Sequence, residues 1–407
     1  MTAELPVAVI GGGPVGLAAA AHLVEHGLEP VVVESGDHVG AAMSRWGHIR
    51  LFSPWQYNID AACRRLLRST SWTSPRPTAL PTGAEVVEHY LQPLAETPEM
   101  RERVRVGTRA TGISRAESQG ADGIRPFVVD VEQEGRPRRI HARAVVDASG
   151  TWHQPNPMGR SGSPASGEHD PAAAPHLLGA LPDVLGNDRS RLAGQRVLVV
   201  GSGHSAVNTL LNLAALKRHA PSTEIRWAIR GTSPDPIYGG SDADQLPERG
   251  ALGQRLRRLV EGGQIELLTS AAVERLRTDA EALLVSFADG RTLSTDKLIS
   301  ATGFRPDLSL LSDLQLDMDS TLEAPRRLAP LIDPALHSCG TVRAHGAGAL
   351  AHPEEDLFIA GTKSYGRAPT FLLATGYEQV RSIAAHLAGR DSVPRELGLP
   401  QTGVCSA

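Results

Sequence analysis

Residues 7–20 read VAVIGGGPVGLAAA, an apolar run that ends in a glycine-rich turn and continues into a helix-forming stretch. Gly11, Gly13 and Gly16 give the pattern G-x-G-x-x-G. In this pattern the first glycine permits a tight turn, the second lets a pyrophosphate approach the main chain, and the third lets helix and strand pack closely. The helix N-terminus then presents unpaired N–H groups to the phosphates. The stretch therefore predicts a dinucleotide-binding strand, turn and helix.

A second apolar strand follows this turn and ends in an acidic residue. The run PVVV predicts a strand at 30–33, and Glu34 stands directly after it. An acidic residue about 20 positions beyond such a turn accepts hydrogen bonds from ribose hydroxyls and repels a 2′-phosphate. We therefore expect Glu34 to bind the ribose of a dinucleotide without a 2′-phosphate. A purely structural glycine turn is the alternative interpretation.

The same pattern recurs at residues 197–210, which read VLVVGSGHSAVNTL. Gly201, Gly203 and Ala206 give G-x-G-x-x-A after an apolar strand and before a second helix-forming stretch. Because the chemical requirements of the turn are the same, this copy predicts a second dinucleotide site.

The strand after the second turn ends in a basic residue. Arg230 follows the predicted strand 224–229, and an arginine at the ribose position suits a 2′-phosphate. Arg226 is the weaker candidate because it lies within the strand, several residues before its end. The alternative interpretation of Arg230 is a surface arginine that merely closes the strand. His204 and Ser205 lie inside the turn, beside the predicted pyrophosphate, although His204 also suits a simple helix entry.

Two turns with opposite ribose-reading residues predict two different dinucleotides. FAD at the first and NADPH at the second is the pairing that lets hydride pass between them. The predicted fold class is α/β, with two Rossmann-like dinucleotide-binding domains and the NADPH domain inserted into the FAD domain. The predicted divisions are the first part of the FAD domain at 1–157, a linker at 158–192, the NADPH domain at 193–299, and the second part of the FAD domain with a C-terminal tail at 300–407.

Further cofactor contacts are expected where strands end in small residues, which let the main chain approach a ligand. AVVDASG at 144–150 and KLISATGFRPD at 297–307 end this way and are expected beside FAD. DLFIAG at 356–361 predicts a late strand of the first sheet, followed by a helix from Thr370 to about residue 387 whose N-terminus faces the flavin. The cofactor contacts expected from these stretches are Gly150, Gly303, Gly361, Thr370 and Phe371.

The composition argues against several classes of function. The 407 residues carry a formal net charge of −4, which gives no electrostatic basis for binding nucleic acid or a membrane surface. No apolar run is long enough to span a bilayer, and the N-terminus enters a strand without a basic leader, so we expect a cytoplasmic protein. The expected partners are a small-molecule substrate and molecular oxygen, and a homodimer is left open.

The three cysteines lie far apart and include no Cys-x-x-Cys pair. This spacing argues against a redox-active dithiol. Cys339 stands near His337, His345 and His352, but their spacing matches no zinc pattern, so we expect no metal. The roles of Cys339 and Cys405 are left open.

The order of the motifs resembles that of flavoproteins with two dinucleotide-binding domains. GGGPVG with its following Glu, DASG, GSGHSA with its following Arg, ATGFRPD and AGTKSYGRAPTFLLATGYEQ occur in that order. The chain is most similar to flavin-containing monooxygenases and their thioredoxin-reductase-like relatives. It departs from the former because F-x-G-x-x-x-H-x-x-x-[YF] is absent before the second turn, and from the latter because Cys-x-x-Cys is absent.

A narrower resemblance is to a bacterial flavoprotein branch sometimes encoded beside arsenic-resistance functions. The stretches that carry it are WGHIRLFSPWQYNID (46–60), HSCGTVRAHG (337–346) and KSYGRAPTFLLATGYEQVRS (363–382).

The resemblance implies that residues 45–60 lie at the face of the flavin. There Asn58 can donate and accept hydrogen bonds without titrating, which suits holding oxygen at the flavin or the nicotinamide amide. Trp55 would wall the ring, with Ser53 beside it. Ordinary core packing with a turn at Ser53 is the alternative. The resemblance also implies that two further residues cover the FAD pyrophosphate, namely Arg45 and Trp46.

The expected function is that of an FAD-containing, NADPH-dependent oxidoreductase. The resemblance implies the monooxygenase type, with a small soft nucleophile such as a sulfur or trivalent arsenic compound as substrate. Two alternatives remain: a reductase that passes electrons to a quinone or partner protein, and a non-catalytic redox-sensing or binding protein that kept both nucleotide folds.

Overall fold

The computed structural model describes most of the chain. The described residues are 5–119, 125–239, 247–279, 282–337 and 342–390, with the main chain alone at 247–250. Two compact units are present: Met1–His153 with Arg305–Pro400 form the first, and Gln154–Phe304 form most of the second.

Sixteen strands are assigned in these ranges. They are β1 Val7–Ile10, β2 Pro30–Val33, β3 Val104–Arg105, β4 Thr108–Arg115, β5 Phe127–Gln133, β6 Arg136–Ala142, β7 Ala144–Asp147, β8 Leu177–Leu178, β9 Arg196–Val200, β10 Glu224–Ala228, β11 Glu266–Leu268, β12 Val273–Asp279, β13 Ala282–Phe287, β14 Thr292–Thr295, β15 Lys297–Ser300 and β16 Leu357–Ile359.

Thirteen α-helices accompany the strands in the described ranges, and many consist of a single turn. They are α1 Pro14–Glu25, α2 Ala41–Ser44, α3 Trp55–Asn58, α4 Ala61–Arg68, α5 Gly83–Val86, α6 Gln92–Ala95, α7 Arg189–Leu192, α8 His204–Lys217, α9 Asp235–Tyr238, α10 Pro247–Glu261, α11 Ala329–Ile332, α12 Ala347–Leu350 and α13 Leu373–Leu387. None of the helices in the described ranges is long and apolar enough to cross a membrane.

The first unit is built on a parallel five-stranded sheet in the order β16-β7-β1-β2-β3. Its central strand β1 is buried on both faces, which is why its sequence is continuously apolar rather than alternating. Val7 and Val9 pack in the cluster that contains helices α1 and α13. Ala8 and Ile10 pack in the cluster of the antiparallel sheet β4-β5-β6. The sheet is therefore covered by helices on one face and by a small sheet on the other.

The second unit repeats this architecture. Its parallel sheet has the order β11-β10-β9-β15-β8, and an antiparallel sheet β12-β13-β14 accompanies it. Val197 and Val199 of β9 pack in the cluster that contains helix α8, whereas Leu198 and Val200 pack with β12 and β13. The predicted α/β class with two Rossmann-like folds is confirmed.

Several elements differ from the sequence-based expectation. The last long helix begins at Leu373 rather than Thr370, because Leu372 is extended with φ −125° and ψ 149°. Residues 158–192, expected as a linker, belong to the second unit, where β8 pairs in parallel with β15. Strand β15 itself pairs with β9, so the stretch at 297–307, expected beside FAD, begins in the second sheet.

Candidate functional site

The first glycine turn lies between β1 and α1 and has the geometry that its pattern predicts. Gly11 has φ +101°, and a Cβ there would lie 2.7 Å from the Ala148 carbonyl oxygen. A Cβ on Gly16 would lie 1.9 Å from the Gly11 oxygen, so helix and strand approach without a side chain between them. At Gly13 nothing lies within 4 Å of an added Cβ. The first and third glycines are therefore required by packing, and the second borders open space.

Glu34 is fixed against this turn. Its side chain is 8% exposed, and its two carboxylate oxygens accept hydrogen bonds from the main-chain N–H groups of Gly12 (2.8 Å) and Gly36 (2.7 Å). The Ser35 hydroxyl also donates to this carboxylate, at 3.5 Å, and an ionised carboxylate has about four acceptor positions, so acceptor capacity remains for a ribose hydroxyl. The main chain orients the carboxylate before any ligand binds.

The second turn, between β9 and α8, repeats the arrangement. Gly201 has φ +134°, and a Cβ there would lie 2.1 Å from the Ala301 oxygen at the end of β15. Nothing lies within 4 Å of an added Cβ on Gly203. Both α1 and α8 begin after the second glycine of their turn, and no side chain caps either N-terminus. Their first N–H groups are therefore suited to binding a phosphate.

The two arginines near the second ribose position have different surroundings. Arg226 is held between Glu266 (3.0 Å) and Glu224 (3.1 Å). Arg230 is exposed in the bend beyond β10 and has no partner among the residues that the structure describes. Two carboxylates already neutralise Arg226, whereas Arg230 keeps a charge that an incoming 2′-phosphate can pair with. His204 and Ser205 are the first two residues of α8 and are half-buried.

The segment expected at the flavin face forms the short helix α3. Trp55 is 4% exposed and Asn58 is 1% exposed. The Ser53 hydroxyl donates to Asn58 Oδ1 at 2.9 Å, and Asn58 Nδ2 donates to the Ser53 carbonyl at 2.7 Å. The Tyr377 hydroxyl donates to the main-chain oxygen of Asn58 at 2.8 Å. The Asn58 amide thus braces its own turn, and its role toward a flavin stays a prediction.

The remaining predicted contacts of the first unit lie in varied surroundings. Arg45 is exposed directly after α2, and the Trp46 indole is 3.0 Å from where a Cβ on Gly83 would lie. Gly150 follows β7 with φ +73° and open space around it. Gly361 follows β16 with φ +71°, and a Cβ there would lie 3.3 Å from Val15 in the first turn of α1.

Three further predicted residues are engaged in packing. The buried Thr370 hydroxyl donates to the Ile332 carbonyl at 3.3 Å, and the Phe371 ring meets the Tyr365 ring edge-on at 5.1 Å between centroids. Gly303 has φ +86° and lies in the second unit, where a Cβ would be 3.4 Å from Asn156 Nδ2.

A buried ion pair at the end of β7 was missed by the sequence analysis. Lys363 Nζ lies 2.6 Å from an Asp147 carboxylate oxygen, with 2% and 0% of the side chains exposed. The Ser149 hydroxyl accepts from Lys363 at 3.0 Å and donates to Asp147 at 2.6 Å. A Cβ on Gly11 would lie 2.8 Å from the Ser149 Cα, so the cluster borders the first turn. Its one sequence signal was the rarity of lysine, of which the chain has three.

The described cysteine and histidines show no arrangement for thiol or metal chemistry. Cys63 is fully buried, and burial together with the Asp60 carboxylate raises the pKa of its thiol. Burial lowers the pKa of His345, whose ring nitrogens lie 3.0 Å from the Arg343 carbonyl and 2.9 Å from the Gln379 amide. No group of metal-binding side chains is present in the described ranges. The other two cysteines, Cys339 and Cys405, lie outside them.

Two glycine turns of this geometry, each at the carboxyl end of a parallel sheet, are typical of a fold with two dinucleotide-binding domains. The chain belongs to the pyridine nucleotide-disulphide oxidoreductase family, whose profile matches residues 8–326. No curated protein sequence matches the chain significantly.

Solved structures of similar fold include both reductases and monooxygenases. Bacillithiol disulfide reductase Bdr (YpdA) from Bacillus cereus is 20% identical, with a TM-score of 0.69 over 95% of this chain and 100% of that one. DfoA from Erwinia amylovora, a cadaverine monooxygenase bound to FAD, is 15% identical, with a TM-score of 0.64 over 100% and 99%. Ornithine N-hydroxylase KtzI from Kutzneria sp. 744, with reduced FAD, NADP+ and L-ornithine, is 15% identical, with a TM-score of 0.61 over 95% and 99%.

These findings confirm the predicted class, a flavoprotein fold with two dinucleotide-binding domains, and the oxidoreductase family. The predicted cofactors, FAD and NADPH, agree with the family and with the ligands that the two monooxygenase structures name. The narrower resemblance to an arsenic-associated branch stays a prediction.

The ion pair at the first turn leads to a prediction about stability. Lys363→Met leaves the Asp147 carboxylate buried without its counter-charge, and such a loss costs about 3–5 kcal/mol. We expect a corresponding fall in the free energy of unfolding, measured by urea denaturation. The double variant Lys363→Met/Asp147→Leu, which removes both charges, should recover most of the loss. Lys217→Met is the control, because Lys217 is a half-buried lysine at the C-terminal end of α8. Equal urea midpoints for Lys363→Met and Lys217→Met would contradict the expectation.

Proposed function

We propose that this protein is an FAD-containing, NADPH-dependent oxidoreductase of the monooxygenase type, which oxygenates a small soft nucleophile such as a sulfur or trivalent arsenic compound. The observation that carries the cofactor assignment is the contrast between the two turns. A buried carboxylate, Glu34, accepts hydrogen bonds from the Gly12 N–H of the first turn and from the Gly36 N–H that follows its own strand. An exposed guanidinium without a partner in the described ranges, Arg230, follows the strand next to the second turn.

The first unit offers a site that fits FAD. The N-terminus of α1 and the open space at Gly13 would receive the diphosphate, and Glu34 would accept hydrogen bonds from the ribose hydroxyls. The open main chain at Gly150 would allow a further close approach. Bound FAD supplies the chemistry of taking hydride from NADPH and passing electrons to an acceptor.

The second unit offers a site that fits NADPH. The N-terminus of α8 and the open space at Gly203 would receive its diphosphate. Arg230 would pair with the 2′-phosphate, because a charge-assisted bond to a guanidinium discriminates NADPH from NADH.

The surroundings of the described cysteine support direct use of the flavin electrons. A thiol relay needs a reactive thiolate, but Cys63 is fully buried and its pKa is raised. The chain also has no Cys-x-x-Cys. Molecular oxygen is a small acceptor that needs no docking surface, so it is our proposed co-substrate.

Helix α3 is the segment that we assign to the oxygen chemistry. Trp55 would exclude water from the flavin face. This matters because water at that face favours the release of hydrogen peroxide over oxygenation of the substrate. Asn58, held in place by Ser53, would present an amide of fixed orientation that does not change charge with pH.

A reductase is the second candidate. In this alternative the same cofactors deliver electrons to a quinone or a partner protein without inserting oxygen. The observation that favours it is the engagement of the Asn58 amide with Ser53, which leaves that amide less free to hold an oxygen species. The two candidates differ in the fate of oxygen, and the second experiment below separates them.

The first experiment concerns the choice of nicotinamide cofactor. Arg230→Ala removes the proposed partner of the 2′-phosphate, a contact of about 1.5–3 kcal/mol, and should raise KM for NADPH roughly ten- to hundredfold. KM for NADH should stay within about twofold, since NADH lacks that phosphate. Arg226→Ala is the matched control and should preserve the preference for NADPH. Equal KM values of the wild type for the two cofactors would contradict the assignment.

The second experiment concerns the fate of the electrons. Asn58→Ala should leave the rate of flavin reduction by NADPH nearly intact but increase the hydrogen peroxide formed per NADPH oxidised. Methyl phenyl sulfide and arsenite serve as substrates, and product and peroxide are both measured. Gln56→Ala, an exposed neighbour on the same helix, is the control. If the wild type oxygenates neither substrate and reduces quinone instead, the reductase candidate replaces the monooxygenase.

A further inference from the structure

A buried tryptophan contacts the second glycine turn. Trp227 lies on β10 with 0% of its side chain exposed, and its indole N–H donates to the Gly201 carbonyl at 2.7 Å. Gly201 is the first glycine of the turn. A side chain of the neighbouring strand therefore fixes the main chain at the point where the strand ends.

The first turn has no equivalent bond. In the first sheet Val9 lies opposite Val32, and in the second sheet Val199 lies opposite Trp227, so Val32 and Trp227 occupy matching positions. The turns otherwise begin alike, since the N–H of the first glycine donates to the neighbouring strand in both. A valine side chain has no donor, so the Gly11 carbonyl cannot be held in this way.

The third position of each turn explains the difference. In the first turn the Gly11 oxygen lies 1.9 Å from where a Cβ on Gly16 would be, so the carbonyl occupies the space that a methyl group would need. The second turn has Ala206 at this position, and its side chain is fully buried. With that methyl present, the Gly201 oxygen cannot take the corresponding place. The φ of Gly201 is +134°, against +101° for Gly11.

We propose that Ala206 and Trp227 form a matched pair that sets the geometry of the second turn for binding the dinucleotide diphosphate. Ala206 displaces the Gly201 carbonyl, and the displaced carbonyl accepts the hydrogen bond of the buried Trp227 indole, whose N–H would be costly to leave without a partner. Trp227 is a positioning residue, and the inference rests on the proposed binding of NADPH at this turn.

The effect of the Trp227 donor on cofactor affinity differs from that of the ribose contact. The diphosphate is common to NADPH and NADH, so loss of the Trp227 donor should weaken both cofactors by the same factor. Loss of the Arg230 guanidinium should weaken NADPH alone. A merely structural role for Trp227 would lower thermal stability and leave the affinity of the folded protein unchanged.

The test uses Trp227→Phe, which keeps an aromatic ring in the core and removes the N–H. We expect Kd for NADP+ by calorimetry, and KM for both NADPH and NADH, to rise roughly five- to twentyfold. The rate of flavin reduction at saturating NADPH should stay within about twofold. Trp72→Phe is the control, because the Trp72 indole makes the same bond, 2.7 Å to the His89 carbonyl, away from either turn.

A double variant tests the pairing itself. Ala206→Gly in the Trp227→Phe background frees the space for the carbonyl, so most of the lost affinity should return. The mirror variant Gly16→Ala adds the methyl where Val32 offers no donor, and it should lower the FAD content of the purified protein. This arm keeps the steric argument testable even if Trp227→Phe does not fold.

If the wild-type protein binds NADP+, any one of three results would overturn this inference and leave the proposed function standing. These are Trp227→Phe binding like Trp72→Phe, a double variant no better than Trp227→Phe, or full FAD content in Gly16→Ala. A wild type that binds neither NADP+ nor NADH would overturn the proposed function and the inference with it.

Discussion

Both units depend on a close contact between the main chain of a strand and the helix that follows it. At the first turn, the Gly11 oxygen lies in the space that a side chain on Gly16 would fill. Helix α1 can therefore begin directly over the end of β1, with its N–H groups directed at the edge of the sheet where we propose that the diphosphate binds. Glu34 lies beside the same turn, where its carboxylate accepts a hydrogen bond from the Gly12 N–H. The second unit has the buried Ala206 methyl at the corresponding position, and there the Gly201 carbonyl accepts the Trp227 indole N–H.

The differences between the two copies carry the functional information. Glu34 is fixed by the N–H groups of Gly12 and Gly36, whereas Arg230 is exposed in the bend two residues beyond β10. A fixed carboxylate and an exposed guanidinium without a partner among the described residues would favour opposite ribose chemistry, which is the basis on which we propose FAD at one turn and NADPH at the other. The family match is consistent with such a pair, while solved structures of similar fold include both reductases and monooxygenases. The fold is common to both classes, and we propose that the residues of helix α3 determine the final electron acceptor.

The sequence was sufficient where structure follows from local pattern. Strand β2 has the predicted bounds 30–33, and β1 and β9 end at the glycine turns as expected, because an apolar run stopped by glycine or an acid leaves little choice. It was insufficient where residues far apart in the chain meet. The Lys363–Asp147 pair joins positions separated by 216 residues, and the local sequence around either residue does not indicate its partner. The bond from Trp227 to Gly201 likewise depends on strand register. Leu372, extended before α13, shows that a helix-forming sequence does not fix where a helix starts.

The central claim is that one chain binds two different dinucleotides and passes hydride between them. Anaerobic titration of the purified protein with NADPH, followed by flavin absorbance, tests it most directly. The account predicts protein that retains FAD, loses its flavin absorbance with stoichiometric NADPH, and reacts far more slowly with NADH at equal low concentration. The central claim would be contradicted if the protein takes up no FAD, or if NADPH does not reduce its bound flavin.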